Sequence, residues 1–151
     1  MSLHVILMEP EIAANAGAIG RTCVAAGAEL WLVRPLGFRL DDRNRRRAGL
    51  DYWKHLTYHV VDALDEAETA LRPGRLWSFT TKATHVYTDA RFEPGDALVF
   101  GPESRGLPDR WLTTQPPERR LRIPMRPEAR SLNLANAAAI ALYEAIRQTG
   151  G

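Results

Sequence analysis

LVFGPESRGLP, residues 98–108, and RIPMRPEARSLNLAN, residues 122–136, share one design. Each begins as a short apolar strand, breaks abruptly at Gly or Pro, and then offers small polar residues where a helix can start. A parallel α/β sheet builds its ligand crevice at strand ends of this kind. Two such breaks predict one pocket.

Upstream, HVILM (4–8) reads as a buried strand, and Glu9, Pro10 and Glu11 end it. Asn15 is placed to cap a helix running to about Ala26, with Gly27 as its stop. That helix is unusually small: Ala16, Gly17, Ala18, Gly20, Ala25 and Ala26 leave little side-chain volume, although an interior Gly costs about 1 kcal/mol relative to Ala. Something must approach its backbone closely. Arg21 is its one long polar side chain, set after a strand end and a glycine-rich turn, where a functional cation is favoured over a solvated one. Strands are predicted over 30–33, 76–81, 96–100 and 121–123. Helices are predicted over 41–47, over 62–71 with Asp62 as cap, over 108–114 as one or two turns, and over 131–148. The last is apolar on nearly every face, which in so small a protein points to burial against a partner subunit.

A chain of 151 residues with 45% apolar content forms one domain able to bury roughly 70% of its unfolded surface. The apolar run 137–143 is too short to cross a bilayer, and the run 5–8 has no basic flank or cleavage site. Neither a membrane span nor a signal peptide is expected, and the expected compartment is the cytoplasm. Cys23, the only cysteine, lies among Ala and Val and reads as a buried thiol rather than a reactive one.

The net charge is only +2, yet the isoelectric point is about 9.0. Lys54 and Lys82 are the only lysines, so eighteen of the twenty basic residues are arginine. Arginine forks onto phosphate oxygens where an ammonium offers a point charge. Codon bias accounts for the same excess, so composition does not by itself establish RNA binding. The densest patch, Arg43, Arg45, Arg46 and Arg47, stands before Tyr52 and Trp53. It is either a solvated face or a phosphate-holding surface with aromatic stacking nearby.

There is no CxxC, HExxH, Walker loop or GxSxG elbow, and His4, His55, His59 and His85 are scattered, so no metal site is expected. NAGAIG (15–20) follows the first strand, but Asn15 stands where a dinucleotide fingerprint needs glycine. What remains is a cofactor pocket built largely from backbone, at Gly101, Gly106 and the turns at Pro102, Pro108 and Pro124.

NAGAIGR (15–21), FGPESRGLP (100–108) and IPMRPEARSLNLANAAAI (123–140) resemble, in that order, the three motifs of the SPOUT-class RNA 2′-O-ribose methyltransferases. The likeness spans nearly the whole chain. With MEPEI (8–12), RRAGLDYW (46–53) and TTK (80–82) also in register, and no appended RNA-binding segment, the chain is most similar to the compact TrmL type, which acts on the wobble cytidine or uridine of tRNA. The resemblance implies a single α/β domain over 1–151, a parallel sheet flanked by helices with a C-terminal deep trefoil knot. It also implies S-adenosylmethionine as methyl donor with S-adenosylhomocysteine as product, no metal, a homodimer, and the tRNA anticodon stem-loop as partner.

By position, the resemblance puts Phe79, Gly101, Ile123 and Ser131 on the cofactor, with Thr80, Glu103, Gly106, Met125, Leu132 and Asn133 lining the loops. It makes Arg21, Asn15, Glu103 and Tyr143 the catalytic set. A guanidinium is a poor proton acceptor, so Arg21 is expected to clamp ribose or phosphate while the proton leaves to a phosphate oxygen, Glu103 or water. Ala13 and Ala14 stand where the TrmL pattern has two prolines, and Gly20 where it has a larger residue. Two other readings stay open: the same chemistry at another tRNA or rRNA site, and a catalytically silent knotted RNA-binding dimer.

Overall fold

Seven parallel strands, in the order β3-β2-β1-β6-β4-β7-β5, make one sheet among the described residues. The computed structural model describes residues 1–40 and 50–150. The strands are β1 (His4–Met8), β2 (Glu29–Val33), β3 (Tyr58–Val61), β4 (Leu76–Phe79), β5 (His85–Val86), β6 (Ala97–Phe100) and β7 (Arg120–Arg122). The helices are α1 (Ala13–Ala26), α2 (Leu64–Leu71), α3 (Asp109–Leu112) and α4 (Leu134–Thr149), with a 3₁₀ turn at Leu50–His55 before β3. The expected parallel α/β sheet is present. The helix expected over 41–47, and with it Arg43, Arg45, Arg46 and Arg47, lies outside the described residues.

The central strands read as continuous apolar runs because both faces of the sheet are covered. Val5, Leu7, Leu30 and Leu32 face one core cluster with α1 and α4. Ile6, Trp31 and Val33 face a second cluster closed by Leu64 and Ala67 of α2 and Leu112 of α3. Chain order reverses at β1: β2 and β3 lie to one side, and β6, β4, β7 and β5 to the other. At the opposite, amino-terminal rim, buried Asp96 accepts hydrogen bonds from the Trp77 indole (2.8 Å) and from Arg75 and Glu93 backbone amides. With the Arg75 guanidinium at 3.0 Å, its charge is both paired and hydrogen-bonded, as burial demands.

Two expected caps are corrected. The N-cap of α1 is Ile12, without a side-chain bond, and Asn15 sits inside the helix with its amide turned elsewhere. α2 starts after Ala63, where the Glu66 carboxylate accepts from the amides of Asp62 and Ala63. Asp62 instead pairs with Arg34 at 2.9 Å. Strands β3 and β5 were not anticipated: β3 is only partly buried and carries Tyr58 and His59, and β5 has two residues. Along α4, Ala138, Ala141, Leu142 and Ala145 are buried. Within a single chain its outer face is open, with Ile140 40% and Tyr143 49% exposed.

The close approach demanded by the small residues of α1 comes from Trp53. Its indole, 2% exposed, lies so tightly on Gly20 that a Cβ there would collide with Nε1. The ring also meets Tyr58 of β3 at 4.7 Å between centroids. Gly20, a departure from the TrmL pattern, therefore makes room for this indole. Gly20→Ala is expected to cost about 1 to 3 kcal/mol in denaturant unfolding through overpacking, and a paired Trp53→Leu should recover part of that loss. Cys23 is fully buried, and burial pushes its thiol pKa up to about 12. Only the thiolate reacts, so the native protein should resist thiol-alkylating reagents at pH 8 and become modified on unfolding.

Candidate active site

The carboxyl ends of β1, β6, β4 and β7 converge where the strand order reverses, the place where open α/β sheets bind ligands. Their loops enclose a cavity of about 490 Å³, within the range of small-molecule sites. Ile12 and Asn15 come from the start of α1, Thr80 and Lys82 from the turn after β4, residues 101–107 from the loop after β6, and Ile123 and Met125 from the segment after β7. Ser131, Leu132 and Asn133, ahead of α4, close it. The rings of Phe79 and Phe100, stacked at 4.8 Å and 15°, form an apolar wall.

The loop after β6 folds back on itself. A Cβ on Gly101 would strike the peptide joining Gly106 to Leu107, and Gly106 turns the chain with φ of 70°. Gly101 is thus required by its own loop, and any ligand meets a backbone already packed against backbone.

A relay of carboxylates and amides fixes this loop to α1. Glu103 Oε1 accepts from the Glu11 amide at 2.8 Å, and Oε2 accepts from the Ile12 amide at 2.9 Å and Asn15 Nδ2 at 3.2 Å. The Glu11 and Ile12 amides lie just ahead of α1, so a residue distant in sequence holds the entry to the helix, where a negative charge also suits the helix dipole. Glu11 reciprocates, accepting from the Ser104 amide (2.7 Å) and hydroxyl (2.8 Å). The Ser104 amide foremost, and then its hydroxyl, hold the Glu11 carboxyl below its usual range. This pairing is therefore present at neutral pH and weakens as pH falls through the lowered value. Asn15 Oδ1 accepts from Asn133 Nδ2 at 3.1 Å, and Asn133 Oδ1 caps α4 by accepting from the Asn136 amide. Asn15 thereby joins the loop after β6 to the head of α4.

Residues 2–143 match the SpoU rRNA Methylase family. The chain belongs to that family. It is 48% identical over 97% of its length to the tRNA (cytidine(34)-2′-O)-methyltransferase of Burkholderia pseudomallei, covering 96% of that protein. The protein of the same name from Escherichia coli is 45% identical, with 98% of this chain and 94% of that one covered. A solved structure described as giving structural insights into the 2-OH methylation of C/U34 on tRNA superposes with a TM-score of 0.89 at 47% identity, over 97% and 95% of the two chains. The SpoU methyltransferase AviRb of Streptomyces viridochromogenes in complex with AdoMet has a TM-score of 0.82 at 29% identity, over 97% of this chain and 57% of that one.

Within this SpoU family member, the wall of the cavity contains Phe79, Thr80, Gly101, Glu103 and Gly106, and also Ile123, Met125, Ser131, Leu132 and Asn133. Of the expected catalytic set, Asn15 and Glu103 line it, whereas Arg21 and Tyr143 are exposed and do not. Both oxygens of Glu103 accept from N–H donors. Glu11 and Ser104 were missed, although both lie inside the quoted motifs MEPEI and FGPESRGLP. Among the described residues, no group of three or more His, Cys, Asp or Glu is arranged to hold a metal, and no helix is long and apolar enough to cross a membrane. Glu103→Ala is expected to lower stability by about 1.5 to 3 kcal/mol, the scale of hydrogen bonding to a charged group, measured by denaturant unfolding; Glu103→Gln, which keeps one acceptor oxygen, should cost less.

Proposed function

We propose that this chain transfers the methyl group of S-adenosylmethionine to the ribose 2′-oxygen of the wobble nucleotide, position 34, in the anticodon stem-loop of a tRNA. The observation that carries this reading is a single cavity enclosed by all three motif segments and tied together through Asn15 and Glu103. Full-length relatives bearing that activity in their names, at 48% and 45% identity, support the choice of substrate.

The cavity fits the cofactor. Its volume of about 490 Å³ suits a nucleoside-sized ligand, Phe79 and Phe100 offer apolar surface, and the backbone around Gly101 and Gly106 offers amides and carbonyls for an adenine edge. S-adenosylmethionine supplies a methyl group already activated on a sulfonium, so the chain's task is mainly to place the hydroxyl in line, about 3 to 3.5 Å away. Asn15 fixes the loops that define this geometry. Arg21 acts as a forked clamp on ribose or phosphate and stabilises the developing alkoxide. The proton leaves to a phosphate oxygen or water.

A second copy of the chain completes the site. Arg21 and Tyr143 stand outside the cavity, and Ile12 at its rim, Ile140 and Tyr143 leave 40 to 49% of their surfaces uncovered. A dimer that covers them brings Arg21 and Tyr143 to the reacting ribose. The segment after β7 is threaded into a trefoil knot, a reading supported by the loops after β4, β6 and β7 meeting in one pocket before α4 packs back on α1. The protein works in the cytoplasm.

Labelled S-adenosylmethionine and an anticodon stem-loop RNA test the reading. Label should enter RNA with cytidine at position 34 and be absent when that nucleotide is 2′-deoxycytidine. Transfer that ignores the deoxy substitution moves the target elsewhere, and absence of cofactor binding in calorimetry makes the protein a silent module. Arg21→Lys should lower kcat/KM about 100-fold, the scale of removing one oxyanion donor. Sedimentation at about twice 16.9 kDa checks the dimer.

A further inference from the structure

Behind the segment after β7 lies a second cavity of about 200 Å³. It shares Thr81, Ile123 and Met125 with the main cavity, so the two adjoin through one layer of residues. Its remaining wall is Arg122, Arg126, Pro127 and Arg130. Three guanidinium-bearing residues thus surround a space sized for one small group. Among the described residues none of the three has a salt bridge or side-chain hydrogen bond, whereas Arg75, Arg105 and Arg147 each engage a carboxylate. Like charges repel unless an anion sits between them. Glu128, on the same loop, does not line the cavity.

The backbone is committed to this arrangement. Arg130 has φ of 61° and ψ of −53°, a region that a residue with a Cβ enters at a cost. A tight turn holds it there: the Ala129 amide bonds to the Arg126 carbonyl, Arg130 to Pro127, and Ser131 to Ala129. Ser131 then lines the main cavity.

We infer that this second cavity holds a backbone phosphate of the RNA substrate, next to the ribose that receives the methyl group. The inference rests on the proposed function and adds to it a subsite that fixes the strand. Guanidiniums match phosphate oxygens in forked pairs, and three of them exceed what one cofactor carboxylate needs. Because the cavities share a wall, a phosphate held here anchors the neighbouring sugar at the mouth of the methyl-donor site.

Binding of the dimeric protein to anticodon stem-loop RNA over a range of salt concentrations, with S-adenosylhomocysteine present, tests this. Changing Arg122, Arg126 and Arg130 together to Gln should weaken RNA binding about tenfold or more and flatten the plot of log affinity against log salt by about 0.7 to 0.9 for each phosphate no longer neutralised. Cofactor affinity in calorimetry should stay unchanged. Arg130→Gly should keep or raise Tm, since it relieves the positive φ, yet weaken RNA binding as Arg130→Gln does. An unchanged salt slope overturns the inference, and so does a loss of cofactor affinity with the slope intact, which would give the site to the cofactor's carboxylate. Should the triple variant not fold, single methylphosphonate linkages scanned along the RNA replace it: one beside the target ribose should cost wild-type binding about tenfold, and no costly linkage overturns the inference. Wild-type protein that transfers no methyl to RNA removes the proposed function itself, whereas intact transfer with insensitive arginine variants removes only this subsite.

Discussion

The carboxylate of Glu103 on the open end of α1 is the contact on which the rest of the site depends. A helix whose first residues are Ala13 and Ala14 has no side chain able to satisfy its leading amides, and Ile12 before it supplies none. The loop after β6 brings an anion to the amides of Glu11 and Ile12, just ahead of the helix, so one carboxylate fixes the entry to α1 and the loop together. Through Asn15 and Asn133 the same constraint reaches the head of α4, and the segment after β7 becomes part of one hydrogen-bonded rim.

The sheet makes that convergence geometrically necessary. Parallel strands buried on both faces must be joined by crossovers, so every strand points its carboxyl end to the same rim. Reversal of strand order at β1 then leaves a gap in which the loops after β1 and β6 face each other. Asp96 does the complementary task at the other rim, binding Arg75, Trp77 and the turn at Glu93. The rigid end is satisfied internally, and the open end keeps polar groups aimed at a cavity.

Much of this was legible in residues. The breaks at Gly101, Pro102, Gly106 and Pro124 marked the loops correctly, and the small faces of α1 announced a close neighbour, which proved to be Trp53. Other features could not be read locally. Asn15 is of the type that caps helices, and nothing in its neighbours distinguishes a local cap from a link to Glu103 and Asn133. Asp62 is likewise of the capping type, yet its carboxylate pairs with Arg34 while Glu66 reaches back to the amides of Asp62 and Ala63. Gly101 signalled a backbone approach, and the peptide joining Gly106 to Leu107 is what a Cβ there would strike. β3 and β5 are short edge elements whose pairing depends on β2 and β7, and a strand of two residues leaves no periodicity to detect. Arg122, Arg126 and Arg130 become a cluster only when the turn at Pro127 brings them round one space.

Backbone strain has a similarly local distribution. Among the described residues only Glu9 and Arg130 combine a side chain with positive φ. Glu9 follows β1 and pairs with Arg105 of the loop after β6 at 3.3 Å. Arg130 ends the turn before Ser131. Each conformation costs free energy that a loop alone would relax away, so the surrounding bonds must hold it. At Glu9 the holders are its own amide bonded to the Val33 carbonyl, the neighbouring Gly37 amide bonded to the Pro10 carbonyl, and the pairing with Arg105. At Arg130 it is the three-bond turn ending on Ser131. Glu9 thereby meets Arg105, which lines the main cavity, and Arg130 lines the second one.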